Sequence, residues 1–462
     1  MLDLKRLLSI LLAVVVSLVV PTAWAEDPVE ENQEATAEKI KSEASEDAEK
    51  ADFTIKNFND PELEELVDEA LKNNLNLRIA ATQIDAAAAA AVIAGARLKP
   101  TVNLGVGASG TGTTSASTGD AVVGLSTTWE IDVWGKLASG AAAAEASLAA
   151  TQANYAFGRQ SLAAQTATSW FIATQARMLL DLGKETVDLY QQTLDLVNTK
   201  YEVGQVTMQD VHLAKADLAT SQEAVQQAEA ADKQARRSLE LLLGLYPGAE
   251  IEARAKLPPV PPSIPVGLPS DLLERRPDLI AAEDTVAAAF YLTEQAEAAK
   301  LPSFAITAGV GASSGVDDMI FDLGAGIVAP LFNGGALEAQ VDSADAQQRA
   351  AIAAYGQAVL KAFEEVEAGL TNGKLEGERE MFLAEGLSEN EAAWNLANTQ
   401  YDVGKIDLLS TLQMQARVVG SRIALVNIRN QQLITRVNLH LALGGSFEED
   451  AEKRVVEGAE EE

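Results

Sequence analysis

Residues that could carry catalysis or bind a metal ion are scarce in this chain of 462 residues. There is no cysteine, and the only histidines are His212 and His440. A metal site or a general base needs several such groups together, and each histidine stands alone in a stretch rich in helix-forming residues. Paired carboxylates such as Glu364 and Glu365 fit a solvated helix face. We therefore predict that the protein is not an enzyme and holds no metal or other cofactor.

Three glycines, Gly105, Gly107 and Gly110, have the G-x-G-x-x-G spacing of a dinucleotide-binding loop. That loop requires a helix beginning at the last glycine, because the helix N-terminus holds the pyrophosphate. Here the chain continues as TGTTSASTG, which is typical of a polar loop. The spacing therefore does not indicate a nucleotide site.

The chain is strongly acidic, with a formal net charge of −33. Binding to nucleic-acid phosphates requires an excess of Lys and Arg, so nucleic acid is excluded as a partner. Part of the negative charge lies in two low-complexity segments, residues 26–57 and 447–462, which we expect to keep the surface solvated.

Residues 1–25 have the organisation of an export signal: a short positive region, an apolar run and the A-x-A cleavage motif AWA. The apolar run is too short to span a bilayer as a helix. We expect the mature chain to begin at Glu26, and we expect no membrane-spanning helix beyond that point.

The two halves of the chain are versions of one another. The stretch YEVGQVTMQDVHLAKADLATSQ, which begins at Tyr201, matches YDVGKIDLLSTLQMQARVVGSR, which begins at Tyr401. A fixed long period indicates one structural unit used twice. We divide the chain into a first repeat at 58–256, a proline-rich linker at 257–270 and a second repeat at 271–446.

Each repeat contains a long tract without proline. Because proline costs about 3 kcal/mol inside a helix, we predict one continuous helix from Lys136 to about Lys200 and another from Ala336 to about Gln400. Each helix turns at Tyr-x-Val-Gly, where Gly204 and Gly404 are the expected left-handed end residues. A second helix then returns and ends near Leu243 or Leu443. Asp210 and Asp407 are candidate caps for these return helices.

Four segments between the helices alternate apolar with small or polar residues. They run over 102–108, 125–133, 304–310 and 321–329, roughly the length that a tilted strand needs to cross a bilayer. Aromatic side chains near their ends are candidates for contact with lipid headgroups: Trp129, Trp134, Phe321 and Phe332.

Four strands cannot close a barrel, and an open sheet edge is not tolerated in lipid. Three copies of the chain would supply twelve strands, enough for closure. The predicted fold class is an α+β membrane protein in which a homotrimer shares one twelve-stranded β-barrel. The alternative is a secreted, soluble coiled-coil scaffold whose sheet packs on its helices.

These features resemble the TolC-like outer-membrane efflux protein family, in the branch that serves resistance-nodulation-division (RND) pumps. The resemblance covers about residues 58–445 and is carried by LLERRPDLIAAE from Leu272, WEIDVWGK from Trp129, APLFNGG from Ala329 and the two Tyr-x-Val-Gly turns. It implies a trimeric exit duct in which a twelve-stranded outer-membrane β-barrel is continuous with a long α-helical periplasmic barrel. The duct would open when a periplasmic adaptor and an inner-membrane pump dock on its tip. The tip and pore residues would be Tyr201, Gly204, Asp210, Tyr401, Gly404, Lys405 and Asp407. The duct of a type I protein-secretion system is the alternative within this family.

The chain departs from the family pattern in two places. Many members of the branch carry a lipidated cysteine at the mature N-terminus, and this chain has none. Ser410 and Ile406 stand where the best-known members have an Asp and an Arg that help to close the pore. Asp407 or Lys405 would then contribute to closure instead. Asp210 would form a ring of carboxylates in a trimer and favour cations, or it would only cap its helix.

Overall fold

The computed structural model describes residues 58–112, 117–262, 275–314 and 318–445. All of these belong to one compact unit. The predicted export signal, both acidic segments and residues 263–270 of the proline-rich linker lie outside the described residues.

Both repeats follow the predicted order of a helix, a pair of strands and a long helical hairpin. The first repeat comprises α1 (Pro61–Asn73), α2 (Leu75–Ala96), β1 (Thr101–Gly112), β2 (Ser117–Ile131), α3 (Lys136–Glu202) and α4 (Met208–Leu242). The second comprises α5 (Pro277–Ala298), β3 (Ser303–Ser313), β4 (Ile320–Val328), α6 (Ala336–Asp402) and α7 (Leu408–Ala442). Helix α1 was not predicted. Asp60 caps it by accepting a hydrogen bond from Leu63 N, and Pro61 occupies its first turn.

The two hairpins have equal lengths. Helices α3 and α6 each contain 67 residues, and the return helices α4 and α7 each contain 35. At a rise of about 1.5 Å per residue, each long helix extends for on the order of 100 Å. The helix ends fall within a few residues of those predicted. Gly204 and Gly404 adopt φ values of +75° and +73°, the left-handed conformation that allows the chain to reverse.

The strands form one antiparallel sheet in the order β1-β2-β3-β4. Its register aligns apolar residues in rows, such as Leu104 with Leu125, Val310 and Phe321. The predicted alternation is therefore confirmed. Some strand ends differ from those predicted. Strand β2 begins at Ser117 and not at residue 125, and it stops at Ile131 because Val133 N bonds back to Ile131 O in a turn. Strand β4 stops at Val328, before Pro330.

Helix α2 contradicts the expectation of no further apolar helix. It has 22 residues and a mean hydropathy of 1.5 over its most apolar window, enough by length and composition alone to cross a membrane. It is the only such helix in the described part of the chain. The run of alanines from Ala86 to Ala91 explains this value, because alanine is apolar yet small. Length and composition are weak evidence here, and α2 packs against α3.

The largest apolar core lies where the helices of the first repeat meet α7. Trp170 and Phe171 of α3 are fully buried there, together with Leu63, Leu239 and Leu433. Trp170 Nε1 donates to the buried carboxylate of Asp60 at 3.0 Å, and Arg254 pairs with the same carboxylate at 2.9 Å. This network ties the start of α1, the middle of α3 and the segment after α4 together.

Each repeat also joins the start of its 22-residue helix, α2 or α5, to the end of its return helix. In the first repeat, Asn74 Nδ2 donates to Leu242 O at 2.9 Å. In the second, the equivalent residue is Arg276, whose Nη1 donates to Ala442 O at 3.1 Å. Arg276 also forms ion pairs with Asp278 and Glu365. The duplication therefore retains a contact while replacing a neutral side chain with a charged one.

Candidate functional site

The turn of the first hairpin is closed by a capping box. Thr207 is the N-cap of α4 and accepts a hydrogen bond from Asp210 N, while Asp210 Oδ2 accepts one from Thr207 N at 2.8 Å. Two backbone donors of the first turn are satisfied in this way. Asp210 therefore has the capping role that the sequence allowed. Its role in the pore remains a prediction.

The turn of the second hairpin uses a single cap. Asp407 accepts a hydrogen bond from Ser410 N at 2.7 Å and begins α7. Bonds from the side chain and the backbone of Ser410 lower the pKa of Asp407 below its usual value. Ser410 therefore stabilises the cap at the position where the resemblance places an aspartate. No ion pair to Lys405 is found among the described residues.

The two tip tyrosines differ in environment. Tyr401 is 4% exposed and packs with Leu194, Val197 and Leu412 in an apolar cluster between the hairpins, whereas Tyr201 is 44% exposed. Burial raises the pKa of Tyr401, and the charges of Asp210 and Asp402 raise it further. Asp210 of the first hairpin is therefore electrostatically coupled to the second.

One lysine connects the two hairpins. Lys200, near the end of α3, donates from Nζ to Tyr401 O at 2.9 Å. The same Nζ lies 3.7 Å from the centroid of the Tyr401 ring and 3.9 Å from Asp402 Oδ1. Its side chain is only 13% exposed.

Both turns present an apolar side chain to solvent. Val203 and Val403, inside the Tyr-x-Val-Gly motifs, are each about two-thirds exposed. Beside them lie Gly204, Gly404 and Lys405, whose backbones turn away from the helices. The tip thus offers two small apolar patches flanked by polar residues.

The sheet has one apolar face and one face of small and polar residues. The second face carries the glycine row Gly105, Gly124 and Gly311, with Glu130 and Asp322 elsewhere on it. A Cβ at Gly124 would lie 3.0 Å from Val310 O, so the close approach of the strands favours glycine at this position. Strands β1 and β4 have no partner on their outer edges within the described chain.

The four predicted interface aromatics lie at both ends of the sheet. Trp129, Trp134 and Phe332 lie where the sheet meets the helices, and Phe321 lies near the opposite end. The two indole N–H groups are satisfied by the carbonyls of Leu98 and Pro302, at 3.0 and 2.8 Å. Phe332 is 93% exposed. Contact of these residues with lipid remains a prediction.

The residues rejected as chemical sites occupy structural positions. Gly105 and Gly107 lie inside β1, paired with Gly124 and Val122, and no helix follows them. His440 is buried, its Nε2 has no hydrogen-bond partner among the described residues, and its ring lies edge-on to Phe58. Burial and the nearby charge of Arg436 lower the pKa of His440 to about 4. His440 is therefore a neutral core residue.

Two important tip residues were missed in the sequence. Thr207 was detectable, because Thr-x-x-Asp before a helix is a capping-box pattern. Lys200 carried no comparable signal, since a lysine in the last turn of a helix is common. Only the packing of the second hairpin against the first shows what Lys200 contacts.

A four-stranded antiparallel sheet with an apolar face, joined to two helical hairpins that each contain a 67-residue helix, defines a membrane channel of the TolC-like type. The family model for outer membrane efflux proteins matches residues 66–245 and again residues 268–445. The chain belongs to the outer membrane efflux protein family. The chain is located in the cell outer membrane, its long helices form a periplasmic extension, and its role is in transport. The soluble-scaffold alternative is therefore wrong.

Several relatives support this assignment. The pyoverdine export outer membrane protein OpmQ of Pseudomonas aeruginosa is 31% identical, over 86% of this chain and 87% of that relative. The toluene efflux pump outer membrane protein TtgI of Pseudomonas putida is 32% identical, over 84% of this chain and 86% of that relative.

Solved structures agree in fold. The outer-membrane channel OprN is similar with a TM-score of 0.80 and 26% identity, covering 85% of this chain and 92% of OprN. CusC is similar with a TM-score of 0.79 and 25% identity, covering 84% of this chain and 92% of CusC.

Proposed function

We propose that this protein is the homotrimeric exit duct of a tripartite system that exports drugs or other small molecules. In this proposal a periplasmic adaptor and an inner-membrane pump of the RND type supply the energy and load the cargo. The observation that carries the proposal is the sheet: β1 and β4 expose backbone groups that must be paired in lipid, and only other chains can pair them. The relatives OpmQ, a pyoverdine export protein, and TtgI, a toluene efflux pump protein, favour small molecules over secreted proteins as the cargo.

The proposal retains the predicted organisation of the chain. Residues 1–25 direct export, residues 58–256 and 271–446 are the two repeats, and the proline-rich linker connects them. The aromatic residues at the two ends of the sheet mark the two lipid interfaces. The exposed valines of the two turns, with Tyr201, Gly204, Asp210, Tyr401, Gly404, Lys405 and Asp407, form the end that meets the adaptor.

Cysteine crosslinking tests the shared barrel, because the native chain has no cysteine to interfere. Double variants would place one cysteine in β1, at Val102, Leu104 or Val106, and one in β4, at Phe321, Leu323 or Ile327. At least one combination should yield dimer and trimer bands after mild oxidation in native membranes. Single-cysteine variants are the controls. The proposal would be contradicted if the detergent-solubilised particle had the mass of one chain and no cysteine pair gave a band above the monomer.

The adaptor contact is tested with single cysteines at Gln205 and Lys405, and with Asp318 as a control between β3 and β4. Gln205 and Lys405 lie in the hairpin turns at the opposite end of the long helices from Asp318. We expect a short photocrosslinker to capture the adaptor from the turns and not from Asp318. Capture from Asp318 alone would contradict the placement, and capture of a type I secretion adaptor would favour the protein-secretion alternative.

A further inference from the structure

A cavity between the two hairpins is separate from the turn region described above. Helices α3, α6 and α7 enclose it, and its volume is about 320 Å³. It shares no residue with the apolar cluster that joins the hairpins near their turns. A single helical turn with its side chains occupies on the order of 400 Å³, so the cavity suits a small molecule better than a partner helix.

One buried side chain in the cavity wall has an unused hydrogen-bonding group. Gln415 of α7 is 2% exposed, and its Nε2 has no hydrogen-bond partner within the described part of the chain. Thr186, the other buried polar residue of the wall, is satisfied, because its hydroxyl donates to Leu182 O at 2.8 Å. A buried amide without a partner is unfavourable, and a carboxamide can turn about its last bond to face the cavity. Gln415 can therefore donate to a ligand oxygen.

The unpaired charges around the cavity are negative. Glu185 and Asp188 of α3 line it, and neither forms an ion pair with any residue that the structure describes. Arg422, the positive residue of the wall, is already held by Glu391, at 2.7 and 3.1 Å. Both acidic side chains are exposed, so their attraction for a cation is moderate and depends on salt. A ligand at this site should therefore carry a positive charge.

The remaining wall is largely apolar. Trp394 of α6 is half-buried and offers an aromatic ring, and Val418 and Leu189 line the cavity from α7 and α3. Aromatic rings attract cations over their faces and also pack against apolar groups. The cavity therefore combines an apolar surface with a preference for positive charge.

The first repeat cannot form the same site. At the positions equivalent to Trp394 and Gln415, 200 residues earlier, stand Leu194 and Lys215. Leu194 is buried in the apolar cluster near the turns. The aromatic ring and the amide are therefore specific to the second hairpin.

We propose that this cavity is a binding site for an amphipathic organic cation. The positive nitrogen of the ligand lies near Glu185 and Asp188, its apolar body lies against Trp394, and an acceptor oxygen bonds to Gln415 Nε2. The inference goes beyond the proposed export function and does not depend on it, because it concerns binding to the wall of the hairpins and not passage through a pore.

The test is a fluorescence titration of berberine with the detergent-purified protein. Berberine is a planar organic cation with ether oxygens, and its fluorescence increases in apolar surroundings. We expect saturable binding of one berberine per chain at low salt, and weaker binding as salt is added. The anion 1-anilinonaphthalene-8-sulfonate should not displace it. Absence of saturable binding, or displacement by the anion at equal concentration, would overturn the inference.

Two variants, each with a matched control, place the berberine in the cavity. Gln415→Leu nearly keeps the volume of the side chain but removes the donor, and should weaken binding on the order of tenfold. Gln413→Leu, at an exposed position of the same helix, is its control. The double variant Glu185→Gln, Asp188→Asn should weaken binding about threefold and remove most of its salt dependence. Glu385→Gln, at the exposed position equivalent to Glu185 in the second repeat, is the control for charge.

The inference is wrong if either variant binds berberine as the wild type does, or if a control loses as much affinity as its variant. If Gln415→Leu does not fold, the double charge variant decides, because both of its positions are exposed. Unchanged affinity in that variant then overturns the inference. None of these experiments measures export, so failure of the site leaves the proposed function standing.

Discussion

The two hairpins have helices of equal length and reverse at equivalent glycines, but the side chains at their turns make different contacts. The first has a reciprocal capping box, an exposed tyrosine and a lysine, Lys200, that bonds to the second hairpin. The second has a one-way cap and a tyrosine buried by its neighbour. Helix length and turn geometry depend on local propensity, which duplication copies. Contacts depend on neighbours, and the two copies have different neighbours.

At the opposite end of the hairpins, equivalent residues of the two repeats also make different contacts. Asn74 and Arg276 perform one task with different chemistry, as described above. Glu240 and His440 are also equivalent and both buried, but Glu240 accepts hydrogen bonds from the backbone N–H groups of residues 249–251. His440 Nε2 bonds to no group in the part of the chain that the structure describes. Each pair allows the comparison between repeats to be tested by experiment.

The largest difference is expected between Arg276→Met and Asn74→Ala. Removing a buried arginine leaves the carboxylate of Asp278 without this partner and Glu365 with only the exposed Lys361. Such a loss costs about 3–5 kcal/mol when the ion pair is fully buried. Both carboxylates are partly exposed, so we expect about 3 kcal/mol. Loss of the neutral amide should cost about 1–2 kcal/mol. Thermal unfolding of the trimers in one detergent checks this, and equal losses would show that the charge adds nothing.

The second expected difference between the repeats is in how folding stability depends on pH. The pKa of His440 is about 4 in the folded chain and near the ordinary histidine value of 6.5 in the unfolded chain, so the unfolded chain binds the proton first as the pH falls. Stability should therefore decrease with falling pH through this window, by up to about 1.4 kcal/mol per pH unit. Burial raises the pKa of Glu240, but its three backbone donors outweigh this and hold the pKa below the usual value. Its stabilisation should be lost only below about pH 4.5.

Two variants separate these windows. His440→Gln should flatten the loss of thermal stability between pH 6.5 and 4.5, and Glu240→Gln should leave the slope in that interval as in the wild type. The unfolding midpoint is measured at several pH values in one buffer series. An undiminished slope in His440→Gln would show that another group is responsible.

The smallest effect distinguishes the two roles of Asp210. Thr207→Ala removes the cap but no charge, and should cost about 1 kcal/mol, seen as faster amide hydrogen exchange in the first turn of α4. Asp210→Asn largely keeps the cap but removes the charge, so it should weaken cation selectivity or block by divalent ions in planar bilayers. Thr220→Ala, an exposed position within α4, is the control for exchange. If Asp210→Asn leaves both conductance properties unchanged, Asp210 is only a cap.

Much of the architecture could be predicted from local rules. Proline-free tracts beginning at Lys136 and Ala336 predicted the long helices. The alternation that begins at Val102 and at Phe304 predicted the strands and which of their residues share a face of the sheet. Strand ends were less certain, because Val133 continues the alternation although a turn has already begun. Helix α1 was missed, and the apolar character of α2 was underestimated since its alanines do not form a run of large hydrophobic residues.

The sequence by itself determined the duplication, the helix lengths, the turns at Gly204 and Gly404 and the two-faced strands, because each depends on residues close together in the chain. Only the tertiary structure decided which tyrosine is buried, where Lys200 binds, and that Arg276 replaces Asn74 in one contact. These partners lie on different helices, separated by 168 residues for Asn74 and Leu242 and by 201 for Lys200 and Tyr401. No local pattern records such a pairing, since it is the packing of one hairpin on another that brings the atoms together.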